Sequence, residues 1–366
     1  MGESELMKIL HVYKDYYPVL GGIENHIKTL AEAQVAAGHQ VSVLVCDPGI
    51  RTHRSTYNGV ELIKAGRLFT AASMPISLSQ PWLLARHHPD IIHVQSPYPL
   101  GEMSAWLFGG RTPFVLSYQS DIVRQKNLLK VYGPFLKRVL RRADRILANS
   151  PRYIETSPWL QPVKDKCLAV PIGIDVQHFR PPRTPYDGPP TLLFVGRLRY
   201  YKGLDTLIAA LVELPGVHLK LVGIGPMYSD LRKQVEALNL HQRVHFLGEV
   251  DDAHLPELYH QAHIFVLPAN ARSEAYGIVL VEAMASGLPC ISTELGTGTS
   301  WVVQHGVTGY VVPPRDPPAM AAAIRKMLAD PTALVTMGRA ARARVEAEFT
   351  QELMTERIMA VYQALL

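Results

Sequence analysis

The segment TLLFVGRLRYYKGL, residues 191–204, decides the fold. Thr191–Val195 has the short apolar composition of a buried strand, and Gly203 opens a helical pattern that runs to Leu211. Between them lies a loop carrying Gly196, Arg197, Arg199 and Lys202. A strand leading through a glycine-containing loop into a helix is the repeating unit of a parallel α/β sheet.

Working outward, the same rhythm continues in both directions. Downstream, strands are predicted at Val217–Val222, Val244–Leu247, Ile264–Leu267 and Pro289–Ser292, with helices at Met227–Leu238 and Tyr276–Ser286. Upstream, five prolines (181, 182, 185, 189 and 190) crowd a stretch that can be neither helix nor central strand. Before it, strands are predicted at Met7–Tyr13, Val41–Cys46, Ile91–Val94, Phe114–Ser117 and Ile146–Asn149. Helical patterns at Ile23–Gly38, Leu100–Phe108 and Leu128–Arg142 separate them. The expectation is α/β architecture: two successive doubly wound, Rossmann-like domains with ligands at the carboxyl ends of the strands. Residues 1–180 would form the first domain, 181–190 a linker and 191–349 the second. A final helix, 350–366, would cross back to the first. The cleft between the domains is the expected active site.

Of the 366 residues, 48% are hydrophobic and 19% charged, which excludes disorder, collagen-like repeats and a coiled coil. Charge is uneven. Residues 1–180 hold 21 Lys and Arg against 14 Asp and Glu, a net of +7, whereas 181–366 are at −2. A basic half suggests a phosphate-bearing, membrane or nucleic-acid partner without choosing among them. Cys46, Cys167 and Cys290 stand far apart, and no secretory leader is visible. A reducing, cytoplasmic setting is therefore expected. No run of 18 apolar residues occurs.

Three motifs carry chemistry. In Gly21-Gly22-Ile23-Glu24, two glycines at a helix start allow backbone to approach an anion, although a plain tight turn uses the same residues. Arg197 and Lys202 could meet a diphosphate over the strand end; singly, each reads as a solvated cation. In EAYGIVLVEAM, residues 274–284, Glu274 precedes a helix and Glu282 lies eight residues on, over positions 278 and 279 of that helix. Carboxylates suit paired sugar hydroxyls. The alternatives are a helix-start acid for Glu274 and a satisfied interior acid for Glu282.

Taken together, these residues resemble the retaining glycosyltransferases of the GT-B fold, glycosyltransferase family 4 in particular. The resemblance spans the chain through Gly21-Gly22, Ser117-Tyr118-Gln119-Ser120-Asp121, Gly173-Ile174-Asp175, Arg197 with Lys202, and the Glu274/Glu282 pair about 75 residues further on. It implies that Arg197 and Lys202 hold the diphosphate of a nucleotide sugar, helped by amides near Gly22 and near Gly277 and Ile278. Glu274 would contact the donor sugar and Glu282 the ribose, while Gly223-x-Gly225 and Phe246–Gly248, with Leu247, line the base. Tyr276 falls within the same donor-binding element.

Gln119 stands where the family usually has His, and a carboxamide cannot act as acid or base near neutral pH. Gln119 is then expected to position the sugar by hydrogen bonding. Asp121 and His93 are possible substitutes, a core histidine being the alternative for His93. Retention needs no protein nucleophile if the leaving diphosphate takes the acceptor's proton, leaving Arg197 and Lys202 to neutralise it. No Asp-x-Asp occurs, so no metal or other cofactor is expected, and Glu257-x-x-His260 reads as a surface helix.

The segment 124–145 places eight cations against Asp144, with apolar residues between them. It reads either as an interfacial helix on an anionic membrane or as an ordinary amphipathic helix. The resulting expectation is hexose transfer from a UDP- or GDP-linked donor to a lipid-linked or cell-surface glycan precursor, with no nucleic-acid partner. The alternatives are an epimerase, a phosphorylase, or a donor-binding protein without transfer.

Overall fold

The computed structural model describes residues 6–19, 21–71, 74–121, 126–184 and 186–366. The chain divides into two compact units, 1–172 with 351–366, and 173–350. The proline-rich stretch lies within the second unit, and its Pro185 falls outside the described residues.

The first unit is built on an eight-stranded sheet. Its spatial order is Cys167–Ala169, Arg145–Ala148, Phe114–Tyr118, Ile91–Ser96, Lys8–Val12, Gln40–Cys46, Val60–Ala65 and His53–Tyr57. All neighbours are parallel except the last pair, which is antiparallel. The sequence pattern missed that edge hairpin because HRSTY, residues 53–57, is polar and almost wholly exposed. Central strands such as Ile91–Ser96 are buried throughout and so read as continuous runs. Helix Gln351–Gln363 packs onto this unit. Its Met354, Ile358, Val361 and Tyr362 share one core cluster with Met7, Ile9, Leu30, Ile91, Val115, Leu147 and Val170.

The second unit has six parallel strands in the order Val244–Gly248, His218–Val222, Thr191–Val195, Ile264–Val266, Cys290–Thr293 and Gly309–Val312. The last of these corrects the sequence reading, which ended the sheet near Ser292. Gly309–Val312 is only four residues long, and Gly309 lies so close to the neighbouring strand that an added Cβ would sit 1.8 Å from the Cys290 carbonyl oxygen. Strand order reverses between Thr191–Val195 and Ile264–Val266. Both units are therefore doubly wound, and in the second the ends of these two strands mark the switch point where ligands bind in such sheets.

Candidate active site

At the switch point of the second unit, the loops after Val195 and Val266 meet. Gly203 has φ +67°, and an added Cβ would lie 2.0 Å from the Pro268 carbonyl oxygen, so glycine alone lets these loops touch. The amide of Asn270 donates to the Tyr201 carbonyl at 2.9 Å, joining them again. This clasp turns Lys202 toward Glu274, and Nζ stands 2.5 Å from Oε2 with each side chain 11% exposed. Burial alone would lower the Lys202 pKa, but attraction to Glu274 and Tyr201 and the hydrogen bond to Glu274 together outweigh it and hold the ammonium above its ordinary range. Arg197 lies on the same loop with an exposed side chain, paired with no acid among the described residues. A buried, acid-held ammonium and an exposed guanidinium on one loop are suited to a polyanionic ligand.

Gly223 and Gly225 make a second close approach. An added Cβ at Gly223 would meet the Gly196 carbonyl at 2.2 Å, and one at Gly225 the Leu198 amide and carbonyl at 2.7 and 2.5 Å. The Leu198 amide also donates to the Ile224 carbonyl at 3.0 Å. These glycines thus hold the Arg197 loop in place. Leu247, at the end of strand Val244–Gly248, remains 39% exposed.

Gly277, at φ +78°, starts helix Ile278–Ala285 and leaves the first-turn amides of Ile278 and Val279 without helical partners. Tyr276 is buried, its ring edge-on to Phe349. Glu282 accepts from the Tyr259 hydroxyl at 2.7 Å, and burial pushes its carboxyl up to about 7 against that hydrogen bond. Tyr259 was missed from sequence. Helical periodicity pointed to the lone acid but not to the neighbouring helix that answers it.

In the first unit, Gly21 precedes helix Gly22–Ala36 in extended backbone, and its missing side chain makes room for the Glu24 carboxylate, 2.2 Å from where a Cβ would be. Nothing lies within 4 Å of a Cβ placed at Gly22. Gly21 therefore serves its own loop, and Gly22 is the position open to a ligand.

Gln119 is 9% exposed, and its Nε2 donates to Gln95 Oε1 at 2.8 Å. Gln95 Nε2 lies 3.4 Å from His93 Nε2, which is 2.7 Å from Ser117 Oγ; His93 Nδ1 is 2.5 Å from the Tyr362 hydroxyl. His93 is completely buried, and burial keeps its pKa well below the usual histidine value. It is an uncharged interior group rather than a surface one. His11 and His26 are likewise buried and lowered to about 4. Among the described residues, both ring nitrogens of His26 and Oδ1 of Asn149 have no hydrogen-bond partner, and both residues line a small cavity with Ser117 and Gln119. Asp121 Oδ1 accepts from the hydroxyls of Tyr118 at 3.1 Å and Ser157 at 2.7 Å. Gln95 could have been noticed from sequence, since it shares a strand face with His93 two residues earlier.

The basic segment is corrected in one respect. In helix Lys126–Arg142, Tyr132, Leu136, Val139 and Leu140 are buried within the unit rather than offered to a membrane, leaving Lys130, Lys137, Arg138 and Arg141 exposed. Arg124 and the side chains of Lys126, Leu128, Leu129 and Val131 lie outside the described residues.

Residues 20–178 match the model of Glycosyltransferase Family 4, and residues 175–344 that of Glycosyl transferases group 1. The D-rhamnosyltransferase WbpZ of Pseudomonas aeruginosa is 38% identical, covering 94% of this chain and 92% of its own length. The O-antigen chain mannosyltransferase C of Escherichia coli is 34% identical, covering 98% and 99%. Among solved structures, the sucrose-phosphate synthase of Thermosynechococcus elongatus superimposes with a TM-score of 0.81 at 26% identity, over 98% of both chains. With both family models matched end to end across two Rossmann-like units, this chain belongs to the group 1 glycosyltransferases of family 4 and has the GT-B fold.

Proposed function

We propose that this glycosyltransferase moves a hexose, with retention at the anomeric carbon and without a metal, from a UDP- or GDP-linked sugar to an acceptor hydroxyl on a lipid-linked or cell-surface glycan precursor. The observation that carries this reading is the Lys202–Glu274 pair at the switch point, with Arg197 on the same loop. Lys202 and Arg197 neutralise the departing diphosphate, which is the principal demand of such a reaction. Glu274 accepts from the transferred sugar's hydroxyls, Glu282 from the ribose, and Gln119 hydrogen-bonds the sugar. As the anomeric C–O bond to the diphosphate breaks, the acceptor oxygen bonds the same carbon and its proton passes to the leaving oxygen. The chain has no Asp-x-Asp, which favours departure assisted by side chains. Two relatives are named for transferring rhamnose and mannose, both six-carbon sugars, and one of them for the O-antigen chain, which supports a hexose and a surface glycan.

The enzyme would work at the cytoplasmic face of the membrane as a peripheral protein. No helix among the described residues is long and apolar enough to cross a membrane. Helix Lys126–Arg142, with its exposed cations, is tied to helix Pro99–Phe108 by Glu102 accepting from the Tyr132 hydroxyl, and Met103, Leu107 and Phe108 of that second helix are exposed. Exposed cations and exposed apolar side chains on two joined helices suit an anionic bilayer surface.

The test is direct. Purified enzyme is offered GDP- and UDP-hexoses with a lipid-linked acceptor, and the product's anomeric configuration is read by NMR with and without EDTA. An inverted linkage defeats retention. Activity lost to EDTA and restored by a divalent cation defeats the metal-free reading, and no transfer from any donor defeats the whole.

A further inference from the structure

We propose that Tyr362, His93 and Gln95 form a positioning chain that turns the Gln119 carboxamide so that its carbonyl oxygen, rather than its amino group, meets the ligand. The inference rests on the reading above that Gln119 contacts the transferred sugar. A carboxamide has a donor end and an acceptor end of nearly equal size, so its function depends on which end faces outward. Here the inner contacts decide. Gln119 Nε2 donates to Gln95 Oε1 at 2.8 Å, which leaves Gln95 Nε2 directed at His93 Nε2, 3.4 Å away.

An amino group can only donate, so His93 Nε2 is the bare nitrogen. It also accepts from the Ser117 hydroxyl at 2.7 Å. The ring proton is then on Nδ1 and is donated to the Tyr362 oxygen at 2.5 Å. Turning Gln119 around would set two donors or two acceptors face to face unless Gln95 and the His93 tautomer reversed with it. Because burial disfavours the charged ring, only the two neutral tautomers compete. Tyr362, on the last helix of the chain, thus closes the network behind a residue that it does not touch, its oxygen taking the Nδ1 proton that this arrangement requires. Every group in this chain lies within the first unit.

Two measurements test this. Imidazole 15N NMR of labelled protein should show His93 protonated at Nδ1 and bare at Nε2 near neutral pH; the opposite tautomer overturns the proposal. Tyr362→Phe, which keeps the ring, should lower kcat about tenfold with a smaller change in the donor KM, as expected for loss of orientation. Gln95→Met should do the same and guards against misfolding of the tyrosine variant. Both losses should vanish in a Gln119→Ala background. A loss of equal size in both backgrounds overturns the chain while leaving the sugar contact standing. Full activity of Gln119→Ala removes the sugar contact itself, and the proposal with it.

Discussion

The two units hold their candidate residues by opposite means. In the second, the key groups are charged and sit on loops, with Lys202 and Glu274 pinned 2.5 Å apart because Gly203 lets two strand ends touch. In the first, the polar groups are neutral and come largely from the strands. His93 and Gln95 lie on Ile91–Ser96, Ser117 lies on Phe114–Tyr118, and Gln119 follows directly. Burial keeps His11, His26 and His93 uncharged. A charged pair on loops can exchange its partner for a ligand, whereas a neutral network in strands can only present a fixed donor or acceptor. The charged pair suits a polyanionic ligand, and the neutral network suits holding one hydrogen-bonding group in a fixed orientation.

Removing charge should break this contrast hardest. Lys202→Ala is expected to lower kcat/KM by about 100- to 1,000-fold, read as the initial rate of nucleotide release. Lys202→Arg should not restore it, because a planar guanidinium cannot replace a buried ammonium against Glu274. A Lys202→Ala variant within tenfold of wild type would mean that the ion pair serves only the fold.

Acid should act next, and on the other unit. The folded-state pKa values of His11 and His26 are lowered by burial from 6.5 to about 4, the hydrogen bond to Gln34 opposing this at His11. Stability from keeping them neutral is present above pH 6.5 and is lost as pH falls toward 4. Each site contributes about 3 kcal/mol of loss at the acid end. Hydrogen exchange in strands Lys8–Val12 and Ile91–Ser96 should accelerate over that range more than in Thr191–Val195. His26→Gln should flatten the dependence, and equal acceleration in both units would erase the contrast.

The smallest effect is expected at the surface. Reversing Lys137 and Arg138 to Glu should weaken binding to phosphatidylserine-rich vesicles by about 1 kcal/mol per charge removed, with transfer to a water-soluble acceptor unchanged. Vesicle flotation at low and high salt measures it. Undiminished binding would leave the exposed cations of helix Lys126–Arg142 without that use.

What could be read in advance followed the strength of the local signal. Strands buried on both faces, such as Thr191–Val195, announce themselves as apolar runs, and the glycine-containing loop after it marks the site. The Lys202–Glu274 contact joins residues 72 positions apart and depends on the meeting of two strand ends, which no periodicity encodes. Glu282 was visible as an acid on an apolar helix, but its partner Tyr259 is supplied by a different helix. Gln119 stood out, whereas the chain behind it runs through three elements ending at Tyr362. The apolar side of helix Lys126–Arg142 shows the converse limit: an amphipathic pattern records that a face is covered without saying by what.

Helix Gln351–Gln363 carries a consequence for biosynthesis. The cluster beneath the first sheet needs Met354, Ile358, Val361 and Tyr362, which the ribosome delivers only after the whole of residues 173–350. The sheet made first is therefore completed last, and it must wait with an apolar face open while the later unit folds. A premature stop near the end of the message would injure the opposite end of the protein, exposing Ile9 and Ile91 while sparing the Lys202 loop.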